Sequence, residues 1–224
     1  MASPPAAKTL VVNIVSDTIC PWCFVGKRRF EKAVAAMAGR GLSVQVRWRP
    51  FQLDPGLPAG GVDKMARYTE KFGAARVAQM LPMMAQVGAA EGISFDYGGR
   101  LSNTLTSHAL LELAWQRGGA AQQDALVEAL FKFYFEGQGD LGDAGALRGV
   151  CAGAGLAVDE GLEAVLAGRS PLCAEVAAEA EEWRARHGIT GVTFFVLENA
   201  GGKRLQLSGA QEADIIAAAL ERLS

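Results

Sequence analysis

The sequence predicts an α/β protein of the order βαβ, then a long block of helices, then ββα. Three observations lead there. The apolar run Leu10-Val11-Val12-Asn13-Ile14-Val15 is followed by Cys20-Pro21-Trp22-Cys23 and the amphipathic stretch Phe24 to Ala38. No segment from Val62 to His187 alternates convincingly as a strand would. Strand patterns return at Thr193 to Leu197 and Arg204 to Ser208, ahead of a closing helical stretch at Ala210 to Leu223.

Each element has a local cause. Leu10 to Val15 is apolar on both faces apart from Asn13, the pattern of a central strand covered on both sides. The helix after it stops at Gly39-Arg40-Gly41. In Ser43 to Leu53, Val44, Val46 and Trp48 alternate with Gln45, Arg47 and Arg49, which is a strand with one polar face. Strand, helix and strand in succession imply a parallel pair. Asp54 to Gly61, rich in Pro and Gly, reads as a connector.

Helical spacing then recurs in Met65, Tyr68, Thr69 and Phe72, and again in Val77, Met80, Leu81, Met84 and Val87, where Pro82 should kink or interrupt the helix. Further helices cover Asn103 to Arg117, Asp124 to Glu136, Ala144 to Ala154 and Asp159 to Ala167. Ser170-Pro171 reads as the N-cap and first residue of a helix that runs to His187 and stops at Gly188. Asn199-Ala200-Gly201-Gly202 is a turn joining the last two strands antiparallel. The expected division is a sheet-bearing domain, 8–60 with 188–224, and an inserted helical domain, 61–187.

Composition narrows the partners. Half of the 224 residues are hydrophobic and the formal net charge is −2, so neither nucleic acid nor an anionic membrane is expected to bind by charge. No apolar run approaches membrane-spanning length. Met1 to Lys8 lacks a basic region followed by an apolar stretch, so no secretory signal is read there. Four cysteines are too few for a disulfide scaffold in a chain of this length, which points to a reducing compartment and a working CxxC. The cytoplasm is the expected location, with an organelle left open if a presequence has been removed.

The chemistry centres on that CxxC. Two cysteines separated by two residues can close a disulfide or open to a dithiol. At a helix N-terminus the first sulfur meets unpaired N–H groups and the positive end of the dipole, both of which favour thiolate. A strand feeding a CxxC that opens a helix is the thioredoxin-like arrangement. Cys20 is therefore the expected nucleophile. Cys23 is the expected resolving thiol, more buried and of higher pKa. Pro21 suits the first turn because it gives up an N–H with no intrahelical partner. Trp22 cannot ionise; it offers either a platform for a peptide or packing against the inserted helices. Asp17 would raise the thiol pKa or accept its proton, or would cap the loop or the helix start.

The remaining reactive side chains read as structural. A tetrahedral zinc site needs two more ligands, and Cys151, Cys173, His108 and His187 form no close-spaced group, so no metal is assigned. His108, among Leu105, Leu111 and Trp115 at helical offsets, reads as a packed histidine. His187 is expected to complement a helix C-terminus as a cation. Cys151 and Cys173 are expected to be buried and inert. Met80, Met83 and Met84 are read as core in preference to an adaptable peptide groove.

With Ser16 to Arg28, Arg47 to Leu53, Asn103-Thr104 with His108, Gly188 to Val192 and Leu207 to Gln211 in view, the chain resembles the DsbA-like family of thioredoxin-fold oxidoreductases, in particular its FrnE-type branch. The resemblance implies a thioredoxin fold with an inserted helical domain, and dithiol–disulfide chemistry on protein or peptide substrates. Trp22 stands where DsbA has a histidine, so a less acidic Cys20 and a less oxidising protein are expected. The chain departs from the family at one place. Where relatives carry a cis-proline in a Gly-Val-Pro-Phe-like segment, this chain reads Gly191-Val192-Thr193-Phe194. The Val192–Thr193 bond is then either cis, or trans with a shifted loop. By resemblance, Val192 and Thr193 supply backbone hydrogen bonds to the substrate and shape release of the mixed disulfide.

Three functions follow in order. The first is a thiol–disulfide oxidoreductase or isomerase acting on protein or peptide disulfides and dithiols. The second is a glutathione-dependent transferase or isomerase of the kappa or 2-hydroxychromene-2-carboxylate isomerase type, which would use a serine near position 20. Asn103-Thr104 fits that type, and Cys20 and Cys23 argue against it. The third is a non-enzymatic chaperone or a metal- or iron–sulfur-binding module. No cofactor is expected, with glutathione left open as reductant or substrate.

Overall fold

The computed structural model describes residues 8–224, so the reading of Met1 to Ala7 lies outside the described residues. The N-terminal unit is β1 (Lys8–Ser16), α1 (Pro21–Ala36) and β2 (Leu42–Pro50), with β1 and β2 parallel. The C-terminal unit is β5 (Phe194–Asn199), β6 (Arg204–Ser208) and α8 (Ala213–Leu223). β5 runs antiparallel to β1, and β6 antiparallel to β5, giving one sheet of order β2-β1-β5-β6. β1 is thus central, and its Ile14 lies opposite Trp48 on one side and Phe195 on the other.

The two-sided cover expected for β1 is incomplete. Leu10, Val12 and Ile14 enter the main core, while Val15 on the opposite face packs with Phe51 and Ile189. Val11 shares that second face but is 40% exposed, because the cover there reaches only the C-terminal end of the strand. β2 is an edge strand, and at Trp48 its outward backbone is not left to solvent. The buried Gln123 amide accepts from Trp48 N–H at 2.8 Å and donates to Trp48 C=O at 3.1 Å. One side chain replaces a neighbouring strand.

Between the units lie α2 (Lys64–Phe72), α3 (Ala74–Ala90), α4 (Leu105–Phe135), α5 (Ala144–Gly153), α6 (Glu160–Leu166) and α7 (Leu172–His187). This segment corrects the sequence reading at three points and bears it out at another. A two-stranded pair, β3 (Val62–Asp63) with β4 (Arg100–Leu101), is present where no strand was expected; two residues are too few to show an alternating pattern. The two helices expected at Asn103 to Arg117 and Asp124 to Glu136 are both present within α4, parted as expected by a break at Gly119, whose φ of 63° and ψ of −151° leave the helical path. α3 runs on through Pro82 without interruption. Pro82 and Ala78, whose carbonyl loses its usual partner, are both exposed, so water can serve that carbonyl. Last, α7 begins at Leu172, one residue later than expected, with the Ser170 hydroxyl accepting from Leu172 N–H at 3.3 Å. Its end at Gly188 is as expected, with φ at 62°.

α1 joins the two parts. Phe24 stacks on Phe131 of α4 at 5.1 Å, and the buried Lys27 pairs with Glu31 and, at 3.1 Å, with Asp124. The CxxC end of α1 is therefore held on one side by the sheet and on the other by the helices.

Candidate active site

Cys20 is the N-cap residue of α1 and Pro21 is its first helical residue, as the order of the sequence requires. A tight turn precedes them, with Cys20 N–H donating to Asp17 C=O at 3.0 Å. Cys20 and Cys23 are both free thiols, 4% and 0% exposed. The two side chains lie close enough for each to shift the ionisation of the other. Cys20 also donates to Val192 C=O at 3.4 Å. Of the two, only Cys20 lines a cavity of about 300 Å3 that lies between the start of α1, helices α2 and α3, and Val192. Its walls are mostly apolar: Ile19, Trp22, Leu53, Tyr68, Phe72, Met80, Met84, Tyr97 and Leu101, with Asp54, Arg67 and Lys71 among them.

The ionisation of the pair reverses the expected order. The hydrogen bond with Cys23, burial, and the charge of Cys23 push the Cys20 thiol well above its ordinary value, and the Asp17 carboxylate adds to this. Burial also works against a Cys23 thiolate. Hydrogen bonds from Cys20, Ser16 and Thr193 outweigh it and hold Cys23 below the ordinary thiol value. Two sulfurs this close share their first ionisation, and the donors around Cys23 favour charge on that side of the pair.

Asp17 is completely buried. One of its oxygens accepts from Leu53 N–H at 2.7 Å, and the other lies 3.4 Å from His108 Nε2. It therefore pins the loop after β2, as a capping carboxylate would, and also acts on Cys20 through its charge. His108 is buried and donates from Nε2 to Phe51 C=O at 2.9 Å, the packed histidine that was expected. Its approach to Asp17 has no local signal, since the two are far apart in sequence. Trp22 is half-buried, packed on the core, and lines the cavity, so the expected packing is present.

The Val192–Thr193 bond is cis. Thr193 is completely buried, and its hydroxyl donates to Trp22 C=O at 3.0 Å. Its carbonyl accepts from Gly209 N–H at 2.8 Å. Neither this hydroxyl contact nor the part played by Ser16 was foreseen, because hydroxyl residues carry no spacing signature. Asn103 and Thr104 are engaged elsewhere: Asn103 donates to Pro55 and Leu57 carbonyls, and both residues accept from Gln52.

Several outlying expectations change. Cys151 is buried, and burial pushes its thiol up to about 11, whereas Cys173 is only half-buried. Met84 is buried in the core and Met80 packs against it, both also lining the cavity, but Met83 is 45% exposed, so the core reading fails for Met83. His187 ends α7, as expected, but its surroundings there oppose the charged form. Burial, then Arg186 and Arg204, lower its pKa, and it stacks on Trp183 at 4.9 Å and meets Gln206 at 2.9 Å. Among the described residues, no three His, Cys, Asp or Glu side chains gather as a metal site would require. Among them, too, no helix is long and apolar enough to cross a membrane.

Comparison with known proteins adds to this geometry. The profile of the DSBA-like thioredoxin domain matches residues 11–221. The crystal structure of a probable DsbA oxidoreductase of Streptomyces coelicolor is 36% identical, with 96% of this chain and 89% of that one covered and a TM-score of 0.84. The cytosolic disulfide reductase DsbM of Pseudomonas aeruginosa, solved in complex with GSH, shares the fold at 19% identity and a TM-score of 0.63, over 95% of this chain and 98% of its own. Among curated proteins, the uncharacterized protein YwbO of Bacillus subtilis is 45% identical over 47 residues, a stretch that spans 21% of either protein.

Proposed function

The chain belongs to the DSBA-like thioredoxin domain family, and on that footing we propose that it exchanges disulfides with protein or peptide substrates through Cys20 and Cys23 of its Cys-Pro-Trp-Cys sequence. One observation carries the reading: two free thiols lie close together at the N-terminus of α1, and Cys20 faces a cavity large enough for a side chain or a small thiol.

In the oxidising direction a substrate thiolate attacks the Cys20 sulfur of the Cys20–Cys23 disulfide. That bond breaks, and Cys23 leaves as thiolate. A second substrate thiolate then attacks the substrate sulfur of the mixed disulfide, and Cys20 departs and takes up a proton. The substrate has gained a disulfide, and the protein holds the dithiol. In the reducing direction the steps run backwards, with the Cys20 proton passing to Cys23 as Cys20 attacks. A low Cys23 pKa favours its departure, because a more acidic thiol leaves faster. Val192 and Thr193 border the reacting sulfur and would align the substrate backbone. Asp17, Pro21 and Trp22 shape the approach to it.

We assign glutathione as a reductant that returns the disulfide to dithiol, and the cytoplasm as the location; the DsbM neighbour, a cytosolic reductase solved with GSH, is the support for both. The test is direct. Cys20→Ser should abolish reduction of insulin, and Cys23→Ser should accumulate mixed disulfides visible by mass spectrometry. Full activity in Cys20→Ser overturns the proposal.

A further inference from the structure

We propose that the hydroxyls of Thr193 and Ser16 act as a donor pair for the Cys23 sulfur, so that Thr193 positions and steadies the leaving thiolate where proline could do neither. This rests on the exchange chemistry above and assigns it a further participant.

The geometry places Thr193 on the right face of α1. Its Oγ1 lies 3.0 Å from Trp22 C=O, the carbonyl of the peptide bond that enters Cys23. A Cβ at Gly26 would lie 2.9 Å from the same oxygen, and Gly26 shares a helix face with Cys23, three residues apart. Gly26 therefore leaves open the space that the Thr193 side chain fills. Thr193 is 0% exposed and Ser16 is 5% exposed, so neither hydroxyl is diverted to bulk water. Ser16 is the last residue of β1, four positions before Cys20, and its side chain contributes to lowering the Cys23 pKa.

A hydroxyl has one proton and can turn. With Cys23 uncharged, as in the free thiol of this structure, the Thr193 proton rests on Trp22 C=O. When the Cys20–Cys23 bond breaks and the electron pair stays on Cys23, the hydroxyl can rotate toward that sulfur. A proline ring at 193 carries no donor. In a site closed to water, a hydrogen bond to an ion outweighs one to a neutral group.

The experiment uses the full chain. In a Cys20→Ser background, thiolate absorbance follows Cys23 across pH, and this titration reads Cys23 whether or not the protein exchanges disulfides. Thr193→Val removes the hydroxyl at nearly constant shape and should raise the Cys23 midpoint by about one pH unit, a tenfold loss of thiolate. Thr193→Ser should restore it. With both cysteines present, Thr193→Val should shift the dithiol–disulfide equilibrium against glutathione about tenfold toward the disulfide, or about 30 mV. Ser16→Ala should raise the midpoint in the same direction, which keeps the test open if Thr193→Val does not fold. A Cys23 midpoint unchanged in folded Thr193→Val or in Ser16→Ala overturns the proposal, as does a folded Thr193→Ser that titrates like Thr193→Val. Inactive wild-type protein with the expected titration would instead sink the exchange reading and leave the donor pair standing.

Discussion

At the scale of single residues, the site turns on where one negative charge rests. The order of ionisation in the pair was not legible, because a CxxC at a helix start points to its first sulfur, and the donors that favour the second come from Ser16 and Thr193. Asp17 gives a further handle. Its charge helps to hold Cys20 high, while its other oxygen accepts from Leu53 N–H. Asp17→Asn keeps an acceptor and removes the charge. It should therefore move the alkaline rise of Cys20 alkylation to lower pH, measured by the rate of iodoacetamide labelling in Cys23→Ser. Asp17→Ala loses the acceptor too, and should cost about 1–3 kcal/mol of stability in urea unfolding for the buried N–H left unpaired. Cys20 and Cys23 themselves, with Pro21 and Trp22, were legible from spacing alone.

At the scale of elements, the long periodic segments could be read and the close fits could not. The βαβ and ββα units and most helices follow from apolar patterning. β3 and β4 are too short to leave a pattern, whereas the break between the two predicted helices of α4 falls at Gly119, inside the gap between them. Gln123 shows why tertiary roles escape a sequence reading: an amide on a helix looks solvated until it meets the free edge of β2. Gln123→Leu should strand both backbone groups of Trp48 and lower stability by about 2–4 kcal/mol, read as a fall in the urea midpoint with an unchanged slope. Gly26→Ala should force its methyl onto Thr193 and cost about 1–3 kcal/mol in the same assay.

For the molecule as a whole, the helices add a buried cation that no periodicity announced. Lys64 is 1% exposed, and its Nζ sits 3.9 Å from the centre of the Tyr134 ring. Burial lowers its pKa from 10.5 to about 8, against the pull of Asp96 and Asp140. Because the folded value is below the unfolded one, the folded state releases this proton first, and its contribution to stability rises as pH climbs above about 8. Lys64→Met should abolish that rise. The stability difference between wild type and variant should change by about 1–3 kcal/mol between pH 7 and pH 10, measured by urea unfolding at each pH. A flat difference would mean that Lys64 is charged alike in both states.

The contact between Cys20 and Val192 joins residues 172 positions apart. A ribosome adding about 5–20 residues per second delivers the two sulfurs roughly ten to thirty seconds before the segment that shelters them. For that interval the nascent polypeptide carries a bare dithiol, open to any oxidant in its surroundings and without the hydroxyl that later steadies it. Guarding the newborn chain is then a task for the cell before it becomes a property of the fold.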